Sequence, residues 1–275
     1  MTMNKEMKKI IQMALREDIP TEDISSVHLF TDEMSTGKFI AKESGVISGI
    51  EVCKEVFNQV DKNTVFTINI HDGENVKKGD VIAEVKGLTK SILAAERVGL
   101  NFLQRMSGVA SLTRKFVDEI SDYPTKILDT RKTTPLLRAF EKKAVIDGGG
   151  MNHRLNLSDM VMLKDNHLKA AKSIENAVSK VRAKVGKQIK IEVEVESIDQ
   201  FKEALNSDCD IIMLDNMSND LMRECVNLNK GKKQLEASGN MNIERLKEVA
   251  KTGVDYISVG LITHSYPALD ISLKF

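Results

Sequence analysis

The chain has 275 residues, with 40 Lys and Arg against 40 Asp and Glu, so its formal net charge is zero. Hydrophobic residues make up 41%, while aromatic residues make up only 4% and Trp is absent. This composition is typical of a globular protein with its own core, and it argues against a partner surface for nucleic acid or membranes and against a base-stacking platform.

The cysteines and the N-terminal segment bear on the cellular compartment of the protein. The cysteines form neither a CxxC pair nor a metal-binding spacing: Cys53, Cys209 and Cys225. We therefore expect reduced thiols in a cytoplasmic protein. The first 20 residues are charged and lack the apolar stretch of a signal peptide. Within them Met7, Ile11 and Leu15 recur every four residues, which predicts an amphipathic helix.

Up to about residue 108, short strand-like runs alternate with turns. Residues 36–50 contain two such runs, and residues 65–87 alternate apolar and polar side chains with turn signals at Asp72-Gly73 and Gly79-Asp80. We predict an antiparallel sheet with flanking helices. One helix spans 50–60, with an apolar face of Val52, Val56 and Phe57, and another runs from Ile92 to about Ile120. The second helix has a predicted buried stripe of Leu93, Leu100, Leu103 and Met106.

After residue 124 the pattern changes to strands that alternate with helices. The predicted strands are 126–129, 160–164, 189–195, 211–215, 234–237 and 256–259. Helical stretches such as 173–185 and 243–253 separate most of them, which predicts a parallel sheet covered by helices. Six such units could close into an α/β barrel or form an open, doubly wound sheet. The absence of GxGxxG after the first strand weakens the dinucleotide-binding form of the second architecture.

Polar residues gather where these strands end, which in a barrel is the functional side. They comprise the run 129–134 after the first strand, Gly148–Arg154 before the second, Lys164–His167, Asp215-Asn216, Ser238-Gly239, and Gly260 with His264. The third strand carries Glu192, Glu194 and Glu196 at alternate positions, which places all three on one face.

These residues predict a site for a compact polyanion. Cations from several strand ends would surround one cleft in an otherwise neutral protein: Arg131, Lys132, His153, Arg154 and Lys164. Glu194 and Asp215 would lie beside them, and such a carboxylate pair near phosphates is suited to Mg²⁺. Ser238-Gly239 and Gly260 follow the last two strands, where barrels of this class often bind phosphate.

Each feature also has a structural interpretation. The Arg131-Lys132 pair alone is more often a solvated patch, the glycine run 148–150 could be a plain turn, and the three glutamates could form an exposed strand face. His167 is better explained by structure than by catalysis. The methionines are expected to fill the core: Met151, Met160, Met162 and Met213. Function is favoured because the features all fall at strand ends on the same side.

The run DTRKTTPLLRAFEKKAVIDGGGMNHRLNLSDMVMLKDNH, residues 129–167, strongly resembles the signature of quinolinate phosphoribosyltransferases. The blocks ERVGLNFLQRMSG (96–108), EVEVES (192–197), LDNMS (214–218), EASG (236–239) and ISVGLITHS (257–265) are similar to that family's other blocks, in the same order. The resemblance covers nearly the whole chain.

The resemblance implies an incomplete parallel α/β barrel with an N-terminal α/β sandwich domain. The sandwich would comprise residues 1–108 together with the C-terminal tail, about 267–275, and the barrel residues 109–266. It also implies a homodimer or an assembly of dimers with active sites at a subunit interface.

The implied activity joins quinolinate to 5-phosphoribosyl 1-pyrophosphate and releases nicotinate mononucleotide, pyrophosphate and CO2. On the resemblance, Arg131, Arg154 and Lys164 would bind the two carboxylates of quinolinate, with His153 beside them. Arg97 would reach into the partner subunit's site. Bidentate arginine contacts suit planar carboxylates, which agrees with these roles.

The phosphoribosyl donor would be bound by the remaining polar residues. The resemblance implies that Lys132 contacts the donor, and that Glu194 and Asp215 act around Mg²⁺ and the ribose hydroxyls. A phosphate site would be lined by Ser238, Gly239, Gly260 and His264. The pyridine nitrogen is the nucleophile, so we expect an oxocarbenium-like displacement without a covalent enzyme intermediate.

Two positions depart from the family pattern, because Leu136 and Asn240 stand where glycine is usual. Asn tolerates left-handed backbone, so Asn240 is expected to keep the loop shape. Leu136 is expected at the start of a helix, where glycine is not required.

Three other functions compete with this interpretation. They are a molybdenum-transport paralogue with the same fold, a phosphoribosyltransferase for another pyridine or base, and a catalytically silent scaffold. The complete set of quinolinate-binding cations argues against the first, and a substrate with one carboxylate would not need so many cations. Retention of Lys164, Glu194 and Asp215 argues against the third.

Overall fold

The computed structural model describes residues 3–275. By packing, the chain divides into two compact units. The first comprises the chain up to Arg114, Thr133–Gly149 and Ser265–Phe275, and the second comprises Lys115–Lys132 and Gly150–His264. The sequence-based domain boundaries stay a prediction; by packing, Thr133–Gly149 lies with the first unit.

The first unit contains an antiparallel sheet, as predicted. Its strands are β1 (Met34–Ala41), β2 (Gly45–Val46), β3 (Val65–Ile68), β4 (Asn75–Val76), β5 (Val81–Leu88) and β12 (Ile271–Lys274). Four of them form a sheet in the order β12-β1-β5-β3, while β2 and β4 pair separately. The C-terminal tail therefore returns to the first unit, because β12 pairs with β1.

The helices of this unit are α1 (Lys5–Asp18), α2 (Ile24–Leu29), α3 (Ile50–Val60), α4 (Thr89–Glu119), whose last residues belong to the second unit, and α5 (Arg138–Asp147). The buried face of α1 is formed by Met7, Ile11 and Leu15, as predicted. Phe39 of β1, Phe57 of α3 and Phe66 of β3 pack with ring centroids 5.4–5.7 Å apart. Aromatic packing of this kind fixes α3 on the sheet.

The predicted stripe of α4 is wrong at one position. Leu100, Leu103 and Met106 are buried, but Leu93 is only half-buried, and its neighbour Ile92 is fully buried instead. Since each residue turns about 100° around a helix, Ile92 lies in line with Leu103, whereas Leu93 lies in line with Leu100, at the edge of the buried face.

The second unit is built from alternating strands and helices. The strands are β6 (Lys126–Leu128), β7 (Val161–Leu163), β8 (Ile191–Val195), β9 (Ile211–Asp215), β10 (Gln234–Ser238) and β11 (Tyr256–Ser258). The helices are α6 (Asp165–Ala171), α7 (Ile174–Val185), α8 (Ile198–Asn206), α9 (Asn219–Asn229), α10 (Ile243–Ala250) and α11 (Leu261–His264). All six predicted strands are confirmed, with ends that differ by at most two residues.

Strand order decides between the two predicted architectures. All the strand pairs are parallel, in the order β6-β11-β10-β9-β8-β7. From β7 to β11 each strand pairs with the next in sequence, and the first strand then pairs with the last. A doubly wound sheet reverses its order at a switch point, so this order is that of a barrel. Among the described residues β6 and β7 do not pair with each other, which leaves the barrel incomplete.

Helices of the barrel begin at side chains that cap them. Ser197, Ser218 and Asn242 follow strands and accept backbone N–H groups of the helices they precede. Such caps satisfy donors that the first helical turn leaves unpaired. The turn between each of these strands and its helix is therefore short and ordered. No helix within residues 3–275 is both long enough and apolar enough to cross a membrane.

Candidate functional site

Most of the predicted site residues lie in the second unit, at the carboxyl ends of its parallel strands. Arg131 and Lys132 follow β6, Lys164 follows β7, and Glu194 lies in β8. The other strand ends carry Asp215, Ser238-Gly239 and Gly260 with His264. The predicted common edge is thus present, because all six strands run in one direction. Arg97 belongs to the first unit, where its side chain is exposed on α4.

Arg131 and Arg154 carry guanidinium groups whose charges repel each other. Burial lowers the pKa of Arg154 and the nearby Arg131 charge lowers it further, while Glu192 acts in the opposite direction. Arg154 is held by its Nη1 donating to the carbonyl of Met160 at 3.1 Å and its Nη2 contacting Sδ of Met162 at 3.5 Å. Like charges held together in this way favour a bound anion.

The methionine prediction is correct only in part. Met213 is buried, whereas Met160 and Met162 are half-buried and Met151 is 42% exposed. Met160 precedes β7 and Met162 lies within it, at the end of the six-stranded order, and both contact Arg154. They therefore support the Arg154 side chain rather than fill the core.

His153 occupies a buried position between two carboxylates. Its Nε2 is 2.9 Å from Oε2 of Glu192 and 3.4 Å from Oε2 of Glu236. Its backbone N–H donates to Oδ1 of Asp129, and its Nδ1 accepts the backbone N–H of Arg154 at 2.7 Å. Because Nδ1 faces a donor, the ring proton in these contacts lies on Nε2 and points toward the carboxylates.

The two glutamates are fully buried. Glu236 also accepts a hydrogen bond from Oγ of Ser258. Burial and the nearby Glu236 raise the pKa of Glu192 to about 7, although His153 lowers it. Burial lowers the pKa of His153, whereas its contacts with the carboxylates of Glu192 and Glu236 raise it overall. The backbone N–H of Arg154, which points at Nδ1, opposes the second ring proton that this shift would favour. The interpretation of Glu192 as part of an exposed strand face is excluded, whereas Glu196 lies beyond β8 and is exposed.

Lys164 and Glu194 form an ion pair across adjacent strands. The distance from Lys164 Nζ to Glu194 Oε2 is 2.9 Å, and the side chains are 49% and 13% exposed. His167 accepts the backbone N–H of Lys164 through its Nδ1 and so has a structural part in starting α6, as expected. The ion pair keeps an exposed ammonium at the strand edge before any substrate is present.

The loops after β9 and β10 fit closely against each other. The Asn216 backbone N–H donates to the carbonyl of Ser238, and Nδ2 of Asn240 contacts Oδ1 of Asn216. Gly239 has φ +93°, and a Cβ there would lie 2.2 Å from Oδ1 of Asn216. Asn240 has φ +49°, so the expectation that Asn would take left-handed backbone is confirmed. Only glycine fits at position 239.

Lys132 and His264 meet over Gly260. A Cβ on Gly260 would lie 3.1 Å from Cδ of Lys132 and 3.2 Å from Cδ2 of His264. Oγ1 of Thr263 donates to the Lys132 carbonyl at 2.8 Å, which ties the end of β6 to α11. The structure thus brings a cation and a histidine together at the last strand end.

The glycine run 148–150 has a structural explanation at its first residue. A Cβ on Gly148 would lie 2.5 Å from the backbone oxygen of Ala110, and Arg114 Nε donates to the Gly148 carbonyl at 3.0 Å. Gly148 therefore allows the end of α5 to pack directly on α4, which is a packing role rather than the plain flexible turn of the structural interpretation.

The expectation for Leu136 is wrong. Leu136 has φ +67° and is 72% exposed, and it precedes the cap residue of α5 rather than starting the helix. A branched side chain in left-handed backbone costs about 1–2 kcal/mol. The glycine usual in the family at this position thus has a conformational reason.

We expect Leu136→Gly to raise the free energy of unfolding by about 0.5–1 kcal/mol, since the relief of strain exceeds the entropy that glycine adds to the unfolded chain. Urea titration followed by circular dichroism measures the change. Leu137→Gly is the control, because Leu137 has φ −93° and should only be destabilised. Equal losses in both variants would contradict the strain at Leu136.

Glu236 is the site residue that sequence reasoning missed. It was seen only within the block EASG and received no role. A signal was available, because Glu236 and Ser238 alternate on β10 just as Glu192 and Glu194 do on β8. What the sequence could not provide was the alignment of the two strands with His153.

Comparison with known proteins agrees with this arrangement. The family model described as quinolinate phosphoribosyl transferase, C-terminal domain, matches residues 109–274, and that of the N-terminal domain matches residues 23–107. The chain is 42% identical over 268 residues to a probable nicotinate-nucleotide pyrophosphorylase [carboxylating] of Bacillus subtilis, covering 98% of this chain and 93% of the relative.

Two solved structures have the same fold at similar identity. The crystal structure of NadC from Streptococcus pyogenes superposes with a TM-score of 0.97 at 40% identity, covering 100% of this chain and 98% of that one. The nicotinate-nucleotide pyrophosphorylase from Francisella tularensis superposes with a TM-score of 0.96 at 42% identity, covering 100% and 97%. With both domain models matched over nearly its whole length, the chain belongs to the quinolinate phosphoribosyltransferase family.

Proposed function

We propose that the protein is a decarboxylating quinolinate phosphoribosyltransferase, which makes nicotinate mononucleotide for NAD biosynthesis in the cytoplasm. The observation that carries the proposal is the group of cations at the carboxyl ends of the strands, in which Arg131 and Arg154 interact through their charges and Lys164 lies exposed beside Glu194. Quinolinate is a planar dianion, and guanidinium groups bind planar carboxylates with two parallel hydrogen bonds. A substrate with a single carboxylate would leave part of this charge unpaired.

The phosphoribosyl donor would bind at the carboxyl ends of two other strands, β10 and β11. Its 5-phosphate would meet the loop Ser238-Gly239 and the turn at Gly260, with His264 beside Gly260. Lys132, which lies over Gly260, would contact the donor. The pyridine nitrogen could then approach the anomeric carbon in a fixed orientation.

Glu194 and Asp215 suit a hydrated Mg²⁺. Glu194 pairs in register with Met213, so it faces the same side of the sheet as Asp215, two residues further along β9. Within residues 3–275, Glu194 Oε2 bonds Lys164 and Asp215 Oδ2 bonds Asn216. The other oxygen of each carboxylate can accept a hydrogen bond from a metal-bound water. When bound, Mg²⁺ would supply positive charge to the departing pyrophosphate.

Catalysis by these residues would rest on position and charge. The ring nitrogen forms the new bond to the anomeric carbon as the bond to pyrophosphate breaks, and the carboxylate of Glu194 stabilises the oxocarbenium-like sugar. The C–COO⁻ bond next to the pyridinium nitrogen then breaks, its electrons stay on the ring carbon, where the adjacent positive charge stabilises them, and that carbon takes a proton as CO2 leaves. No covalent bond to the protein is required.

The proposal includes a homodimer, or an assembly of dimers, in which Arg97 serves the partner subunit's site. Arg97 is exposed on α4, where a guanidinium is available to a second chain. In the partner's site, Arg97 would add a further hydrogen-bond donor for the carboxylates of quinolinate.

The test is a direct assay. Purified protein is incubated with quinolinate, phosphoribosyl pyrophosphate and Mg²⁺, and nicotinate mononucleotide is followed by chromatography, with nicotinate as a parallel substrate and excess chelator as a third arm. Product from quinolinate alone, lost with chelator, is expected. Product from nicotinate alone would overturn the substrate, and product in chelator would overturn the metal. No product from folded protein would favour a transport-associated or silent relative.

We expect Gly239→Ala to raise the KM for phosphoribosyl pyrophosphate by about tenfold, because a methyl group would push Asn216 and shift the phosphate loop. The measurement is initial rates against donor concentration. Gly231→Ala is the matched control: its φ is +74°, but a Cβ there meets nothing within 4 Å. The control should leave the KM unchanged, and the same rise in both variants would count against the phosphate role.

A further inference from the structure

Charged side chains replace apolar filling in part of the barrel interior. Glu192 and Glu236 have no exposed surface, and the His153 side chain is only 7% exposed. Ser258 extends the group through its hydrogen bond to Glu236. Branched apolar residues usually fill barrels of this class, and buried carboxylates cost several kcal/mol in desolvation. The cluster of His153, Glu192, Glu236 and Ser258 is therefore not explained by a gain in stability. Its hydrogen-bond contacts indicate its role.

A metal site is the first alternative, since one ligand atom from each of His153, Glu192 and Glu236 lies within 4.8 Å of the others. The hydrogen bond at Nδ1 argues against it. Arg154 donates its backbone N–H to Nδ1, so the proton of the neutral ring lies on Nε2. To bind a metal through Nε2, His153 would need a free lone pair on that atom. Its ring proton would then lie on Nδ1 and face the backbone N–H of Arg154.

The contacts of His153 connect the two glutamates with Arg154. The backbone of His153 is anchored on Asp129, its Nε2 is directed at Glu192 and Glu236, and its Nδ1 takes the backbone N–H of Arg154. The ring therefore fixes the chain at the residue that carries the guanidinium. Glu192 also attracts that guanidinium, which offsets the repulsion from Arg131.

We propose that Glu192 and Glu236 are positioning residues, which act through His153 to hold Arg154 where it meets a carboxylate of quinolinate. The inference rests on the proposed function. Neither glutamate needs to touch the substrate. Because His153 connects both glutamates to Arg154, their effect should fall on quinolinate. It should spare phosphoribosyl pyrophosphate, which would bind at the exposed ends of β10 and β11, beyond Glu236 and Ser258.

The test uses Glu192→Gln and Glu236→Gln, which keep the shape and remove the charge. Each should raise the KM for quinolinate about tenfold and leave the KM for phosphoribosyl pyrophosphate unchanged. The dissociation constant for quinolinate, from calorimetry without the donor, should rise by the same factor. Glu196→Gln is the matched control, because Glu196 is an exposed acid beyond the same strand, and it should change neither constant.

A double-variant cycle tests the route through His153. Adding Glu192→Gln to His153→Ala should cost little beyond His153→Ala alone, since the residues act as one unit. If the losses from Glu192→Gln and His153→Ala multiply in the double variant, the route through His153 is wrong. The inference also fails if the Gln variants change the KM values for quinolinate and phosphoribosyl pyrophosphate equally, or change neither. The single Gln variants decide the matter if His153→Ala does not fold. A wild-type protein that binds and converts no quinolinate would defeat the proposed function, whereas an active wild type with unaffected variants would defeat only this inference.

Discussion

Arg154→Lys should lower kcat/KM for quinolinate about 100-fold, although it preserves the charge. The guanidinium spans two fixed acceptors, the Met160 carbonyl and Met162 Sδ, while standing close to Arg131. An ammonium on a flexible stem cannot keep both contacts and also bind a carboxylate with two hydrogen bonds. The loss should appear mainly as a raised KM for quinolinate, because the donor site is untouched.

Initial rates at varied quinolinate and fixed, saturating donor give the measurement. Arg223→Lys is the control, because Arg223 is an exposed arginine of the same unit whose partner is Asp220. That variant should keep the wild-type constants. Arg154→Lys with full activity would show that only charge matters at position 154, and the planar two-bond argument would fail.

The strands and their polar ends were predictable because both signals are local. Apolar runs between helices identified all six barrel strands, and the side chains just after them followed without further information. Strand order is different, because the pairing of Lys126 with Tyr256 joins distant parts of the chain. The choice between barrel and open sheet therefore needed the structure or the family resemblance.

The errors have physical causes of two kinds. Leu93 and Leu136 are local failures: Leu93 lies at the edge of the buried face of α4, and Leu136 has a backbone angle that composition does not reveal. Glu236 is a non-local failure, because its meaning depends on His153 and Glu192, which come from elsewhere in the chain. Cations at the strand ends are thus easier to predict from the sequence than the buried residues behind them.

Mixing two inactive variants should restore activity if active sites are shared between subunits. Arg97→Ala removes an exposed side chain on α4, so it should cost little stability while lowering activity about 100-fold. Lys164→Ala removes the exposed ammonium that pairs with Glu194, with a similar loss. In a mixed dimer, one site would receive Arg97 from one chain and Lys164 from the other, and would be complete.

The expected gain follows from counting sites. In an equal mixture of freely exchanging dimers, half are mixed and each has one complete site, so about a quarter of the wild-type activity should return. Arg131→Ala mixed with Lys164→Ala is the matched control, since both residues belong to the same chain's site and no complete site can form. Native mass spectrometry of differently tagged chains verifies exchange. Absence of recovery after verified exchange would place Arg97 outside the partner's site, and recovery in the control pair would show that the assignment of Arg131 and Lys164 to one chain's site is wrong.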